Sequence, residues 1–204
     1  MIKLKVDEKE FNIVNGYEEL SLGQYVDIVK VSESGRFKDS TESDIEIISS
    51  LSDDKEGLKK VLWDFTSDDF QALKEEFKWV ETDIDIVESF NKLEPKKSVS
   101  IENKEYAIIS NYNKMSLGEI VSFETLMGLK SSDFHRLEVA FGVLLRPIGA
   151  DGNLVKFTED IFLDVINNKY KIKMSDVYST LNFFLSGDKI STTKVTKGFS
   201  IQRV

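Results

Sequence analysis

The strongest constraint on the fold is a similarity between two segments of the same chain. Residues 4–28 (LKVDEKEFNIVNGYEELSLGQYVDI) align without a gap with residues 99–123 (VSIENKEYAIISNYNKMSLGEIVSF), at an offset of 95 residues. Eight of the 25 aligned positions are identical, including the triplets Ser21-Leu22-Gly23 and Ser116-Leu117-Gly118. Because similarity of this length in register indicates an internal repeat, the sequence predicts that one structural unit occurs twice.

Each copy of the similar segment has the pattern of a β-hairpin followed by a capped helix. Apolar and polar residues alternate around the charged turns at 7–10 and 102–105, which is typical of a hairpin with one apolar face. The motifs Ser21-x-x-Gln24 and Ser116-x-x-Glu119 are capping boxes, which satisfy the free backbone groups at a helix start. We therefore expect the two segments to superpose as a hairpin and a helix.

Further helices are predicted after each hairpin from apolar periodicity and start signals. Their expected ranges are 21–33, 43–53, 55–63 and 67–80 in the first copy, and 116–129, 133–146, 158–168 and 175–186 in the second. Serines 67 and 175 open similar stretches at an offset of 108, and both are interpreted as helix caps. The second copy is thus longer, and the turn-rich insertion near 147–158 accounts for the difference.

The expected fold class is α+β and mainly helical, with two diverged repeats that each contain a β-hairpin followed by a small helical bundle. The first repeat spans 1–94, the second spans 95–187, and 188–204 form an extended tail. A polar loop is expected at 32–41 and a linker at 93–97. The aromatic residues between 62 and 79, including Trp63, follow helical spacing and are interpreted as mostly core.

The residue types that most catalytic and metal sites need are scarce. There is no Cys, which excludes disulfides and Cys-ligated metal centres, and His135 is the only His. The turn Gly149-Ala150-Asp151-Gly152 lacks the Lys-Ser/Thr that follows a phosphate-binding loop. Acidic doublets such as Asp53-Asp54 are interpreted as solvated helix faces. We therefore expect no enzyme activity, no catalytic residues, no cofactor and no metal ion.

The charge of the chain argues against two classes of partner. The formal net charge is -9, and a negative field repels phosphate backbones and anionic lipid surfaces. No apolar run of membrane-spanning length occurs, and the charged, alternating start Met1–Asp7 does not resemble a signal peptide. The expected location is a cytoplasm, without membrane insertion and without nucleic acid as the main partner.

One apolar segment near the end of the chain suggests a protein contact. Adjacent Phe183 and Phe184 point to different faces of a predicted helix, so one ring can contact a neighbouring protein. Pro147 and Ile148 lie in the insertion that we expect beside it. Basic residues of the tail, including Lys194 and Lys197, could then reach an acidic surface. Two alternatives remain open: both rings are buried in the core, and the tail is a solubilising end.

The layout resembles that of small proteins of tailed bacteriophages. The resemblance rests on LSLGQY at 20–25, IEIISSL at 45–51, VAFGVLLRPI at 139–148 and LNFFL at 181–185. It implies a non-enzymatic tail assembly chaperone or a minor virion component. Its partners would be other phage structural or tail proteins or further copies of the chain, in the host cytoplasm during assembly or in the virion. The alternative is a cellular adaptor or regulatory interaction module.

Overall fold

The computed structural model describes residues 1–33, 41–80, 96–109, 114–128 and 133–178, without the side chains of 33, 126–128 and 133–137. These residues form an α+β protein with two small antiparallel sheets. The strands are β1 (Ile2–Val6), β2 (Lys9–Ile13), β3 (Ser98–Ile101), β4 (Lys104–Ile108) and β5 (Leu145–Pro147). The helices are α1 (Leu22–Glu33), α2 (Thr41–Ser50), α3 (Lys55–Trp63), α4 (Ser67–Glu76), α5 (Leu117–Gly128), α6 (Asp133–Leu144) and α7 (Glu159–Asn167). Short 3-10 turns occur at Tyr17–Glu19, Lys78–Val80 and Lys169–Lys171, and 174–178 are again helical.

Both predicted hairpins are present, and their registers match at the offset seen in the sequence. Leu4 pairs with Phe11 in the first hairpin, and Val99 pairs with Tyr106 in the second. The turns also agree in part, because Asp7 and its aligned residue Glu102 both adopt positive φ angles, of 53° and 49°. Such angles are the ones that tight two-residue hairpin turns require.

A short third strand replaces the end of a predicted helix. The sequence predicted a helix over 133–146, but α6 ends at Leu144, and β5 pairs with β4 through Leu145 and Ile108. Pro147 disfavours helical backbone in the residue before it, and pairing with β4 provides partners for the backbone groups of the returning chain. Here the amide of Ile109 donates to the carbonyl of Leu144 at 2.9 Å.

In the N-terminal half the chain also turns back to its hairpin, but it forms less backbone pairing there. After α2 the chain turns back to the first hairpin, where Ser52 forms an isolated bridge with Ile13. The amide of Val14 donates to the carbonyl of Leu51 at 3.1 Å. Val14 aligns with Ile109, so the chain returns to the same position of each hairpin. The first return comprises one bridge, whereas the second forms a strand.

Buried side chains from both halves form one hydrophobic cluster. Phe11, Leu22 and Leu51 from the first half and Tyr106 and Phe141 from the second are almost fully buried within it. The prediction for the aromatic residues was correct for those at 70 and 77, which are buried. It was wrong for Trp63, whose side chain is 55 % exposed at the end of α3.

Two predicted caps are placed differently in the structure. Thr66, and not Ser67, caps α4, because its hydroxyl accepts from the amide of Asp69 at 3.2 Å. Ser175 lies inside the helical turn that starts at 174, so it is not a cap either. Other helix starts and ends differ from the predictions by a few residues, and α3 agrees with the predicted range.

Several predictions fall on residues outside the described ranges. They are the greater part of the loop at 32–41, the linker at 93–95 and everything from 179 onward, including the tail. Within the described ranges, no helix has both the length and the apolar character needed to cross a bilayer.

Candidate protein-binding face

Both predicted capping boxes are formed, so α1 and α5 begin in the same way. The hydroxyl of Ser21 accepts from the amide of Gln24 at 3.2 Å, and the Gln24 side chain accepts from the amide of Ser21 at 3.0 Å. Ser116 and Glu119 form the same two bonds, at 3.3 and 2.6 Å. Each box satisfies backbone amides that a helix start leaves without partners.

The last residue of each box, Gln24 or Glu119, also contacts the chain that returns to the hairpin. In the first half the side-chain amide of Gln24 donates to the carbonyl of Leu51 at 3.0 Å. In the second half Glu119 accepts from Arg146, from Nε at 3.2 Å and from Nη2 at 2.9 Å. A neutral hydrogen bond in one half therefore corresponds to an ion pair in the other.

The Arg146 side chain is almost completely buried. Its guanidinium lies 4.3 Å from the ring centroid of Phe157, and its residue exposure is 2 %. Burial lowers the pKa of Arg146, which the charge of Glu119 opposes, and the guanidinium stays protonated. Burial also raises the pKa of Glu119, but the hydrogen bond from Ser116 and the charge of Arg146 outweigh it, so this pKa is lowered.

The start of α1 is covered by a segment from the second half of the chain. The amide of Leu22 donates to the carbonyl of Ile172 at 2.7 Å, and the amide of Met174 donates to the carbonyl of Leu20 at 2.8 Å. These bonds flank an antiparallel bridge between Ser21 and Lys173. Ile172 and Met174 are buried, as is Leu22.

An aromatic ring completes this cover. Tyr170 lies directly over Gly23, because a Cβ atom built on that glycine would be 2.4 Å from the ring. Its hydroxyl donates to Asp27 at 3.1 Å, and Asp27 also accepts from Lys55 at 3.0 Å. Gly23 thus provides the space that the ring needs.

Among the residues that the structure describes, none covers the corresponding start of α5 in this way. Leu117 is 79 % exposed and Val121 is 59 % exposed, whereas their aligned residues Leu22 and Val26 are buried. A Cβ on Gly118 would have only the Ser116 hydroxyl near it, at 4.0 Å. We call the surface of Ser116, Leu117, Gly118 and Val121 the open face.

The described chain also contains a cleft of about 550 Å³ in the first half. Asp27, Lys55 and Tyr170 lie along it, together with the Ser21–Gln24 box. Burial, and then the charge of Asp27, raise the pKa of Tyr170 to about 12, so its phenol is protonated near neutral pH. The Asp27 carboxylate already accepts from an ammonium and a phenol, so these groups hold α1, α3 and the 169–171 turn together.

The residues predicted as a protein contact are only partly covered by the described ranges. Pro147 and Ile148 are partly exposed, on β5 and directly after it. Ile148 forms a bridge to Leu154 across the turn, and Leu154 is 45 % exposed. Phe183, Phe184, Lys194 and Lys197 lie outside the described residues. His135 is placed in the first turn of α6, and its side chain is not described.

The open face was not among the sites predicted from the sequence. A signal was available, because the apolar residues of α5 occupy positions all around the helix and cannot all face one core. They are Leu117, Ile120, Val121, Phe123 and Leu126.

No arrangement for metal binding is present in the part of the chain that the structure describes, since no three His, Cys, Asp or Glu side chains form a suitable group there. Comparison with known proteins gives no further assignment: no family model matches the chain, and neither does any curated protein or solved structure.

Proposed function

We propose that this protein is a non-enzymatic assembly or structural protein that acts through protein–protein contacts. The open face is the observation that carries the proposal. Isolated exposed apolar residues are common, but Leu117 and Val121 are one helical turn apart on the same side of α5. Apolar surface that is contiguous and uncovered is typical of interaction sites.

The comparison within the chain supports this interpretation. Leu22, Gly23 and Val26 are identical to the aligned residues of the open face and are buried. The Leu22 amide and the space over Gly23 are occupied by the segment 170–174. The same residues in α5 have the shape and polarity for a similar contact. We propose that the two hairpin–helix units derive from one repeated unit and that the second unit keeps its contact surface for another protein.

The resemblance to small proteins of tailed bacteriophages supports a role of this contact in phage assembly. The protein would then be a tail assembly chaperone or a minor virion component in the host cytoplasm or the virion. A cellular adaptor, the alternative, would use the same face for a different partner.

A photo-crosslinking amino acid at position 117 tests the proposal. It is introduced in cells that produce the phage, and crosslinked proteins are identified by mass spectrometry. Position 63 is the matched control, because Trp63 is also a large, exposed apolar residue at a helix end. We expect position 117, and not position 63, to crosslink to a tail or virion protein.

The other outcomes are equally informative. Crosslinks from position 117 to a host protein alone would favour the cellular adaptor, and no crosslinks, or the same ones at both positions, would contradict the proposal. Mass spectrometry of purified particles then separates the two phage roles. A virion component is present in a fixed ratio to other structural proteins, whereas a chaperone is absent.

A further inference from the structure

The segment that covers the start of α1 shows which ligand a capped helix of this type accepts. The segment is extended only around Ile172 and Lys173, between the 3-10 turn at 169–171 and the helical turn that starts at 174. It forms two backbone hydrogen bonds, one on either side of the bridge at Ser21, and buries Ile172 and Met174. Two residues before Ile172, the ring of Tyr170 fills the space over Gly23. The pattern is therefore an aromatic residue, any residue, and two apolar residues separated by one position.

The open face has the corresponding features, and no described residue covers it as 170–174 covers the start of α1. Gly118 leaves space for a ring, since no side chain of the described chain lies over it except the distant Ser116 hydroxyl. Leu117 and Val121 provide the apolar surface. Among the described residues, none forms backbone bonds to the Leu117 amide or the Met115 carbonyl like those that Ile172 and Met174 form in the first half. A segment that is extended at its bridging residue could therefore add to this position by the same backbone pairing.

The covered start of α1 and the open face differ in the charge of a neighbouring residue. Next to the covered site, Glu19 binds the N-terminal ammonium at 2.7 Å, which is the main cause of its lowered pKa, and Lys173 of the covering segment adds a smaller attraction. The residue aligned with Glu19 is Lys114, which is exposed. A ligand of the open face would thus be favoured by an acidic residue where the covering segment has Lys173.

We infer that the open face binds a segment of another protein that has the pattern aromatic, any residue, apolar, acidic, apolar and that is extended where it pairs with Ser116. This inference rests on the proposed function and specifies the kind of partner. The occupant is a different polypeptide and not a second copy of 170–174, because each chain already uses that segment to cover its own α1. A helix lying across Leu117 and Val121 is the competing mode, and the experiment separates the two.

Two fluorescent peptides test the inference by anisotropy at low salt. The first has the sequence of residues 168–176, NKYKIKMSD, and the second carries the change Lys173→Glu. We expect the second peptide to bind the full chain several-fold more tightly than the first. Nonspecific attraction to a protein of net charge -9 predicts the opposite order, because the first peptide is the more basic.

Two variants of the protein locate the binding. Gly118→Ala places a methyl group where the ring must lie, so we expect at least a tenfold loss of affinity. Lys114→Glu should reverse the preference between the two peptides. Trp63→Ser is the control, and it should leave both affinities unchanged because it removes exposed apolar surface elsewhere.

The inference is overturned if neither peptide binds, or if Gly118→Ala leaves the binding intact. The latter result would also arise if a peptide displaced the chain's own segment from α1. Failure here does not decide the proposed function: crosslinks from position 117 without peptide binding would indicate a partner that binds in another form, such as a helix. Peptide binding without crosslinks would show a functional groove and contradict the assembly role.

Discussion

The starts of α1 and α5 present the same Ser-Leu-Gly triplet and the same type of cap, yet one is buried and the other is exposed. Around α1, the segment 170–174, helix α2 and helix α6 all contact the helix. Around α5, extensive contact with another described helix comes from α6 alone. The difference shows that the local sequence determines how a helix begins, whereas residues far along the chain determine whether its apolar face is covered.

The second difference lies in how each cap is tied to the hairpin. Gln24 holds the returning chain by one neutral bond to a backbone carbonyl, and Glu119 holds it through a buried arginine. The ion pair accompanies a longer return, with a paired strand and an inserted turn. The C-terminal half therefore has a cap whose strength depends on charge.

The largest difference in the free energy of unfolding is expected between variants of the two aligned leucines, Leu22 and Leu117. Leu22→Ala should lower the free energy of unfolding by about 3 kcal/mol, because it leaves a cavity in a fully buried position. Leu117→Ala should change it by no more than about 0.5 kcal/mol, because that side chain is exposed. Urea unfolding of both variants measures this. Equal costs would mean that the open face is covered in solution.

A smaller effect is expected from breaking the ion pair of the second cap. Glu119→Ala leaves Arg146 buried without its anion and removes one cap bond, so we expect a loss of about 2 kcal/mol. This loss of stability is smaller than that expected for breaking a fully buried ion pair, because the Glu119 side chain retains some exposure. Gln24→Ala, the matched change in the first half, should cost about 1 kcal/mol. Equal shifts of the unfolding midpoint in Glu119→Ala and Gln24→Ala would contradict the expected difference between the two caps.

Because Glu119 is ionisable and Gln24 is not, the contribution of the second cap to stability should depend on pH and that of the first should not. Because the folded protein lowers the pKa of Glu119, its contribution to stability is complete above the unfolded value near 4.5 and is lost as the pH falls through the folded value. Wild type should therefore lose its advantage over Glu119→Gln as the pH drops below 4.5, whereas Gln24→Ala should parallel wild type. Unfolding curves at several pH values measure this, and parallel profiles for all three proteins would contradict it.

The two glycines should respond to the same substitution with opposite signs. Gly23→Ala forces the Tyr170 ring away from its place and should cost about 1–2 kcal/mol. Gly118→Ala meets no close contact among the described residues and should stabilise the helix by about 0.5 kcal/mol, since alanine restricts the unfolded chain. Thermal unfolding of the two variants is the measurement. A cost at position 118 would indicate that something already occupies the space above it.

How much of this could be predicted from the sequence depends on the range of the interactions. Hairpins and capping boxes involve residues within a few positions of one another, so the predictions around Ser21 and Ser116 were confirmed. The strand at Leu145 was missed because it depends on pairing with β4, and a run of apolar residues fits a buried helix or a buried strand. The exposure of Trp63 and Leu117 was missed for a related reason, since apolar residues alone do not show what covers them.

The last comparison concerns the cap serines themselves. Ser21→Ala and Ser116→Ala each remove the hydroxyl that accepts from the third residue of the helix, and each should cost about 1 kcal/mol. Ser21→Ala should cost more, because Ser21 is buried and water cannot easily replace the lost partner, whereas Ser116 is exposed.

Threonine at the same positions is the control, because it keeps the hydroxyl and should retain most of the stability. Urea midpoints for the four variants measure both the size and the order of the effects. If neither alanine variant shifts the midpoint, the caps do not contribute to stability, and the hydrogen bonds at α1 and α5 are replaced by water at no cost. If Ser116→Ala proves the more costly, then Ser116 is shielded from solvent, as a partner bound on the open face would cause.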